Sequence, residues 1–393
     1  MHSEARRIVF LRRSMKAMRL LFVALGLLAA LALGALWLRS RLIPPPSSLH
    51  PPPSTPPATV PPDCPQPLVT ITDLPLYGAT GELRGQALCA VPALFRVAVY
   101  IYNGSGWWTK PTFDSPTSAL AGDGTWAADV TTGEGDEKAM RFAAFLVPVG
   151  VSPPALSGQS DLPPELLARP HVIAKRTPGA RALQFSGRTW LVRRSDDLSG
   201  PGPNYFADDE RAVWVDAAGR LHLALTFREG RWQSAEVYTA VPLGYGTYTF
   251  VTASPVDRLD PNVVLGLFTW DELADEVAHR EMDVEFARWG DAAAPNAQFV
   301  VQPEPNPGNR HRFSLALQGE LATHTLRWGP FGAQFATRQG LDGSAVEDWT
   351  YTGRDLPPPG ASHAHINLWL LRGQPPSDGQ PVEMVIQSFQ FEP

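Results

Sequence analysis

Cysteine is nearly absent: the 393 residues hold two, Cys64 and Cys89. A scaffold of several disulfides is thereby excluded, and two thiols at that spacing make no metal site. Charge is sparse as well. Asp, Glu, Lys and Arg make up 18% of the chain against 44% hydrophobic residues, so large cores can form, enough for about two folded units. There is no Gly-rich phosphate loop and no zinc-type His/Cys spacing, and GPGPN at 200–204 reads as a turn rather than a dinucleotide fingerprint. No loop shows a clear calcium-ligand pattern, so neither a metal nor a cofactor is expected. Helical patterning is scarce too, with only DELADEVAH (271–279) looking briefly helical.

What charge there is lies unevenly. Net charge is −6, yet residues 1–41 hold eight Lys/Arg and a single Glu, a balance of +7, which leaves −13 on the rest. Such a body is repelled by nucleic acid, so no nucleic-acid partner is expected. The basic segment 1–19 runs into Leu20–Leu38, nineteen residues without a charge. At about 1.5 Å rise per residue, a helix of that length spans close to 30 Å of hydrocarbon. Six basic residues precede this run and two follow, which sets the N-terminus in the cytoplasm and the body outside. The run therefore reads as a membrane anchor, with a cleaved export signal as the rival; either way the body is exported.

Proline, by contrast, is plentiful, with forty in the chain, twelve of them among the 24 residues from Pro44 to Pro67. The linker 39–67 is expected to run as a semi-rigid polyproline spacer, on the order of 70 Å when extended. In an exported chain a Cys64–Cys89 disulfide is expected, with two unpaired thiols as the alternative. Residues 68–150 read as a small Ig-like β-sandwich: RVAVYIYNGSGWW alternates and then turns at Asn103-Gly104. Trp107, Trp108 and Trp126 form either a sugar-stacking platform or ordinary core. Proline-rich residues 151–182 are expected to be an irregular connector. From 183 to 393, thirteen strand-like runs predict a large all-β sandwich of two stacked antiparallel sheets.

One of those runs, HREMDVEFARWG (279–290), concentrates chemistry. Side chains at i, i+2 and i+4 of a strand share a face, so Glu281, Asp283 and Glu285 point together while Met282, Val284 and Phe286 enter the core. An alternating strand with a polar outer face is ordinary. Three like charges on one face nevertheless repel, and acids are depleted in strands, so the pattern asks for a use. Glycoside hydrolysis is one: it needs a carboxylate nucleophile and a carboxylic acid, and a third carboxyl can pull their titrations apart. His279, in phase with the acids, either contacts them or is simply solvated.

EMDVE resembles the E-x-D-x-E motif of glycoside hydrolase family 16. FSGRTWLVR, GPGPNYF, RLHLAL, LGYGTYTF, NVVLGLFTWD, HINLWL and VEMVIQSFQFEP are similar to family segments in the family's order, over residues 183–393. The resemblance implies a concanavalin-like β-jelly-roll and a retaining hydrolase that cuts internal β-glycosidic bonds of a β-1,3 or mixed-linkage glucan. It implies Glu281 as nucleophile, Glu285 as acid/base and Asp283 as the assisting carboxylate, on an unbulged strand. ARWG and the DELADEVAH insert depart from the commonest family pattern. Cleft candidates for sugar binding are Asn204, Tyr245, Trp270, Trp289, Gln298, His365 and Trp369, because a sugar cleft needs aromatic faces and hydrogen-bonding groups. A polysaccharide partner and a monomer are expected. A lectin-like binding protein on the same scaffold, or a transglycosylase, is the alternative.

Overall fold

The computed structural model describes residues 66–274 and 280–393. Leu20–Leu38, the Pro-rich spacer, Cys64, His279 and the second half of DELADEVAH lie outside the described residues. Among the described residues, no helix is long and apolar enough to cross a membrane.

The first folded unit is a small β-sandwich. A three-stranded sheet runs in the order Leu68–Asp73, Glu82–Leu88, Thr125–Asp129. Facing it is a six-stranded sheet built on Phe95–Tyr102, whose hairpin to Trp107–Lys110 turns through Asn103 and Gly104, the latter at φ 94°. Trp107 and Trp126 are buried and Trp108 packs partly buried against the core, so the core reading of the three tryptophans is the one seen, and no exposed platform exists. The stretch 151–182 is more regular than expected. Ser157–Gln159 pairs with Trp107–Lys110, and His171–Lys175 adds an outer strand beside Arg141–Pro148. Local proline density hid these strands, because each pairs along an edge where few backbone donors are needed. The true junction is shorter, from Arg176 to Ala180.

The second unit is a sandwich of two antiparallel sheets. One runs Arg310–Phe313, Ala297–Val301, Glu281–Phe286, Val263–Trp270, His363–Leu370, Arg231–Thr239, Arg188–Val192, Arg181–Phe185. The other is built on Leu221–Arg228, Val382–Glu392, Gly246–Ala253, Leu321–Gly329, Gly332–Gln339 and Ala345–Tyr351. The hairpin between Leu221–Arg228 and Arg231–Thr239 joins them. Ala345–Tyr351 escapes sequence reading because it is an outermost strand carrying Glu347 and Asp348, the charged composition by which exposed edges avoid pairing with other chains.

Between the sheets lies a core in which Met282, Val284 and Phe286 are essentially inaccessible, beside Leu265, Leu267, Phe299 and Ile366. Each such side chain contributes about 1.5–3 kcal/mol by leaving water, and together they fix which face of their strand points outward. RFSLAL alternates like a strand, but only its first half is one. Beyond Phe313, the amides of Leu315 and Leu317 donate to Asn296 Oδ1 (2.7 Å) and Asp257 Oδ2 (3.1 Å), so buried polar side chains replace a neighbouring strand.

Candidate active site

Register places the three acids. Glu281 stands opposite Trp270, Asp283 opposite Phe268 and Glu285 opposite Gly266, with no register shift in either pairing of the Glu281–Phe286 strand. The strand is unbulged, and the acids occupy the face away from the core. The next strand continues the rows: Trp270, Phe268 and Gly266 face His363, His365 and Asn367. Beyond them stand Tyr238, opposite His365, and Glu236, opposite Asn367. On the other flank Gln298 is opposite Glu285, and Arg312 opposite Gln298.

Part of this face floors a cleft of about 850 Å³ lined by Glu281, Trp270, Phe268, His365, Asn367 and Tyr238 among others; of the three acids only Glu281 lines it, Asp283 and Glu285 standing beside it on the same strand. Gly266 is required beside Asn367, since a β-carbon there would sit 2.5 Å from Asn367 Oδ1. That oxygen is buried and accepts no hydrogen bond. An unpaired buried acceptor costs about 1–3 kcal/mol, and a ligand hydroxyl would satisfy it.

The carboxyls are held in distinct states. Burial raises Asp283 well above the ordinary aspartate range, and the charges of Glu281 and Glu285 push it further up. Burial also raises Glu281, to about 7, against a hydrogen bond with Asp283; Glu285 and Glu236 add to the rise. Glu285 is raised to about 6 by burial, opposed by Gln298 and Arg312. Gln298 Nε2 donates to Glu285 Oε2 at 2.7 Å, while its Oε1 accepts from Arg312 Nε and Nη2 at 3.0 and 2.8 Å. Gln302 donates to Asp283 at 3.3 Å. These groups titrate as a set.

A fourth carboxylate lies in the floor. Glu236 is buried, and burial works to raise it, but the hydrogen bond from His365 Nδ1 (3.0 Å) and the guanidinium of Arg193 (2.6 Å) outweigh that and hold it below the usual range. His365 stacks on Tyr238 with ring centroids 5.2 Å apart. His363 donates Nδ1 to the Thr239 carbonyl at 2.6 Å, and burial with the nearby His365 lowers it to about 4, so it is neutral at physiological pH.

Of the expected sugar-binding residues, Trp270 and His365 line the cleft. The Arg280 guanidinium lies over the Trp270 ring at 4.9 Å. Trp289 and Trp369 meet edge to face at 6.3 Å in a small apolar cluster with Phe206, Val264 and Ala287. This cluster lies on the same face, toward the Glu285 end of the strand. Three expectations are corrected. Asn204 is buried, its amide donating to the Pro201 and Leu370 carbonyls and its oxygen accepting from Ser234 Oγ and the Leu370 amide; every hydrogen-bonding site is consumed in tying a turn to a strand end. Tyr245 packs edge-on against Trp328 at 5.0 Å, beside the core and away from the cleft lining. Gln298 is buried and consumed between Glu285 and Arg312, so it positions a carboxyl rather than meeting sugar.

Residues that the sequence reading missed carry the same period-two signal it used for the acids. His363 and Asn367 flank the expected His365 at i−2 and i+2 in HAHINLWL, and Ser234, Glu236 and Tyr238 stand at i, i+2 and i+4 in WQSAEVYT. Arg193 and Arg312 have no such signal, since only pairing brings them to this face.

No family model matches the sequence, and no curated protein matches it. Among solved structures, the chain is similar to a pseudo β-1,3-glucanase and immunostimulatory antigen of Mycobacterium tuberculosis, at 20% identity and TM-score 0.40, covering 50% of this chain and 88% of that one. It is similar to a β-1,3-glucanase from Mycobacterium marinum at 17% identity and TM-score 0.41, covering 55% and 95%. It is also similar to a Bacteroides ovatus mixed-linkage glucan protein of glycoside hydrolase family 16, in complex with an oligosaccharide product, at 11% identity and TM-score 0.40, covering 52% and 94%. Likenesses at this level assign no activity, and the chemistry has to be argued from the cleft.

Proposed function

We propose that this protein is a retaining glycoside hydrolase acting on a β-linked polysaccharide of the glucan type. The observation that carries the reading is one strand face with a buried Asp283 between two half-buried glutamates, at a cleft that Glu281 lines, their titrations raised by their surroundings. A structural acid cluster would gain nothing from desolvating like charges side by side.

In this reading a Glu281 oxygen attacks the anomeric carbon while Glu285 gives its proton to the departing glycosidic oxygen. The covalent glycosyl-enzyme is then hydrolysed by a water whose proton returns to Glu285. As their surroundings hold them, Glu281 titrates above Glu285, the reverse of the order that attack requires. Substrate restores it. Positive charge developing on the sugar ring favours the ionised nucleophile, on top of the hydrogen bond from Asp283 that already lowers Glu281. Substrate also removes water from Glu285, favouring its protonated form. Asn367 Oδ1 is placed to accept a hydroxyl, and Trp270 offers a ring face to a sugar. The exported body, tethered through Leu20–Leu38 and the Pro-rich spacer, would meet its polymer outside the cytoplasm.

The test is release of oligosaccharide from a panel of β-1,3-, mixed-linkage and β-1,4-glucans, with the product anomer read by proton NMR. Retained configuration and loss of turnover in Glu281→Gln are expected. Binding without release in both proteins would replace the hydrolase reading with a lectin.

A further inference from the structure

Resting on the glycosidase reading, we infer that the cleft is closed at one end and that this protein cuts within about three sugar units of a chain end, three strand spacings of about 4.8 Å from the catalytic strand to a wall. The row that crosses the sheet from Asp283 passes Phe268, His365 and Tyr238, and its next member is Leu191. Tyr238 lines the cleft that holds Glu281, but Leu191 lines a separate cavity formed with Leu74, Pro75, Leu76 and Tyr77 of the first sandwich. Thr177, Gly179 and Ala180 line both cavities. The junction between the two sandwiches therefore stands across this row as a partition, while in the neighbouring row the cleft reaches one strand further, to Arg193 beside Glu236.

The partition is fastened on both sides. Lys175 reaches Glu272 at 2.5 Å and Thr177 accepts from the Tyr238 hydroxyl at 3.1 Å, so alternate residues grip the catalytic sheet. Arg176, between them, points the other way. It is buried, donates to the carbonyls of Ala139, Pro75, Leu76 and Glu137, and lies over the Phe142 ring at 4.9 Å. At the far corner Arg181 donates to the Asp208 carbonyl and Arg194 approaches Asp208 at 3.9 Å, which joins the junction to the loop that forms the opposite wall. A chain threaded across the sheet would have to pass through these contacts. The first sandwich thus acts as a stop that measures substrate from one end, in place of the internal cutting that the family resemblance implies.

The experiment follows the full chain acting on length-defined β-1,3- and mixed-linkage glucans, with polymer size and small products separated at successive times. Products of about two or three units from the earliest times, with the polymer shrinking gradually, are expected. Early fragments of every length would overturn the closed arm while leaving the hydrolase reading intact. No release from any polymer would remove both. Two variants test the wall itself. Lys175→Ala/Thr177→Ala, which frees the junction from the catalytic sheet, should lengthen the products, and Ala180→Trp, which adds bulk to the wall, should shorten them. Unchanged product lengths in both, with circular dichroism like wild type, would overturn the assignment of the wall.

Discussion

Three raised carboxyls on one face have a consequence for stability that needs no substrate. In the unfolded chain these acids titrate near their ordinary values, 4.5 for the glutamates, whereas in the fold Glu281 is raised to about 7 and Glu285 to about 6, and Asp283 is raised well above its ordinary range. Between pH 4.5 and 7 the native state therefore binds more protons than the unfolded one, and stability falls as pH rises through that window. At 1.36 kcal/mol per pH unit, the gap for Glu281 alone is worth about 3 kcal/mol and that for Glu285 about 2 kcal/mol. They do not add, because part of the Glu281 rise is the charge of Glu285 itself. A loss of about 2–4 kcal/mol between pH 5 and pH 8 is expected for the set. His363 and His324, lowered to about 4 and about 3 by burial, act in the opposite direction, gaining stability as pH rises toward their unfolded value near 6.5. The measurement is therefore a difference. Urea unfolding at pH 5 and pH 8 is compared between wild type and Glu281→Gln/Asp283→Asn/Glu285→Gln, which keeps the histidines and removes the acids. Wild type should lose stability relative to the variant as pH rises; parallel pH dependence would refute the claim that these carboxyls are held protonated.

Three further outcomes follow from named contacts. Gln298→Ala breaks the only link between Arg312 and Glu285 seen among the described residues, so the Glu285 limb of the pH–rate profile should move to higher pH and kcat should fall about tenfold, with KM little changed. Asn204→Ala should lower unfolding stability by about 1–3 kcal/mol and leave KM as it is, because its hydrogen bonds all stay inside the protein; a raised KM would restore it as a sugar ligand. Arg176→Lys keeps the charge but cannot reach four carbonyls at once, so a thermal scan should show a loss of about 2–4 kcal/mol.

How far the sequence reveals this molecule depends on the range of each interaction. Strands such as Val263–Trp270 and His363–Leu370 are legible because alternation is local, and so is the common face of Glu281, Asp283 and Glu285. The misassigned residues share a different property. Asn204 and Gln298 each have several polar groups whose partners lie on other segments, up to 166 residues away for Asn204 and 14 for Gln298. A local pattern shows that such a residue is polar; it cannot show that its hydrogen bonds are already consumed. The junction was read as irregular for a related reason, since its strand pairs with a segment about thirty residues earlier and proline punctuates the stretch.

The same distinction explains how one sheet face tolerates four carboxyls. A buried charge is costly unless neutralised, and each of these is neutralised differently. Glu236 keeps its charge, opposed directly by Arg193 and by a histidine hydrogen bond. Glu285 is hydrogen-bonded to Gln298, which carries the Arg312 guanidinium on its other side, and the charge of Arg312 acts at that distance, a weaker compensation that leaves Glu285 near pH 6, able to hold or release a proton. Asp283, buried beside the charges of Glu281 and Glu285, is settled by keeping its proton. Glu281, between the charge of Glu236 and the proton of Asp283, can be ionised only while Asp283 remains neutral. Replacing Asp283 by Asn retains a donor and a neutral group, so activity should fall less in Asp283→Asn than in Asp283→Ala. If Asp283 had to be charged, Asn and Ala would be equally inactive, and the kcat ratio of the two variants decides between these states.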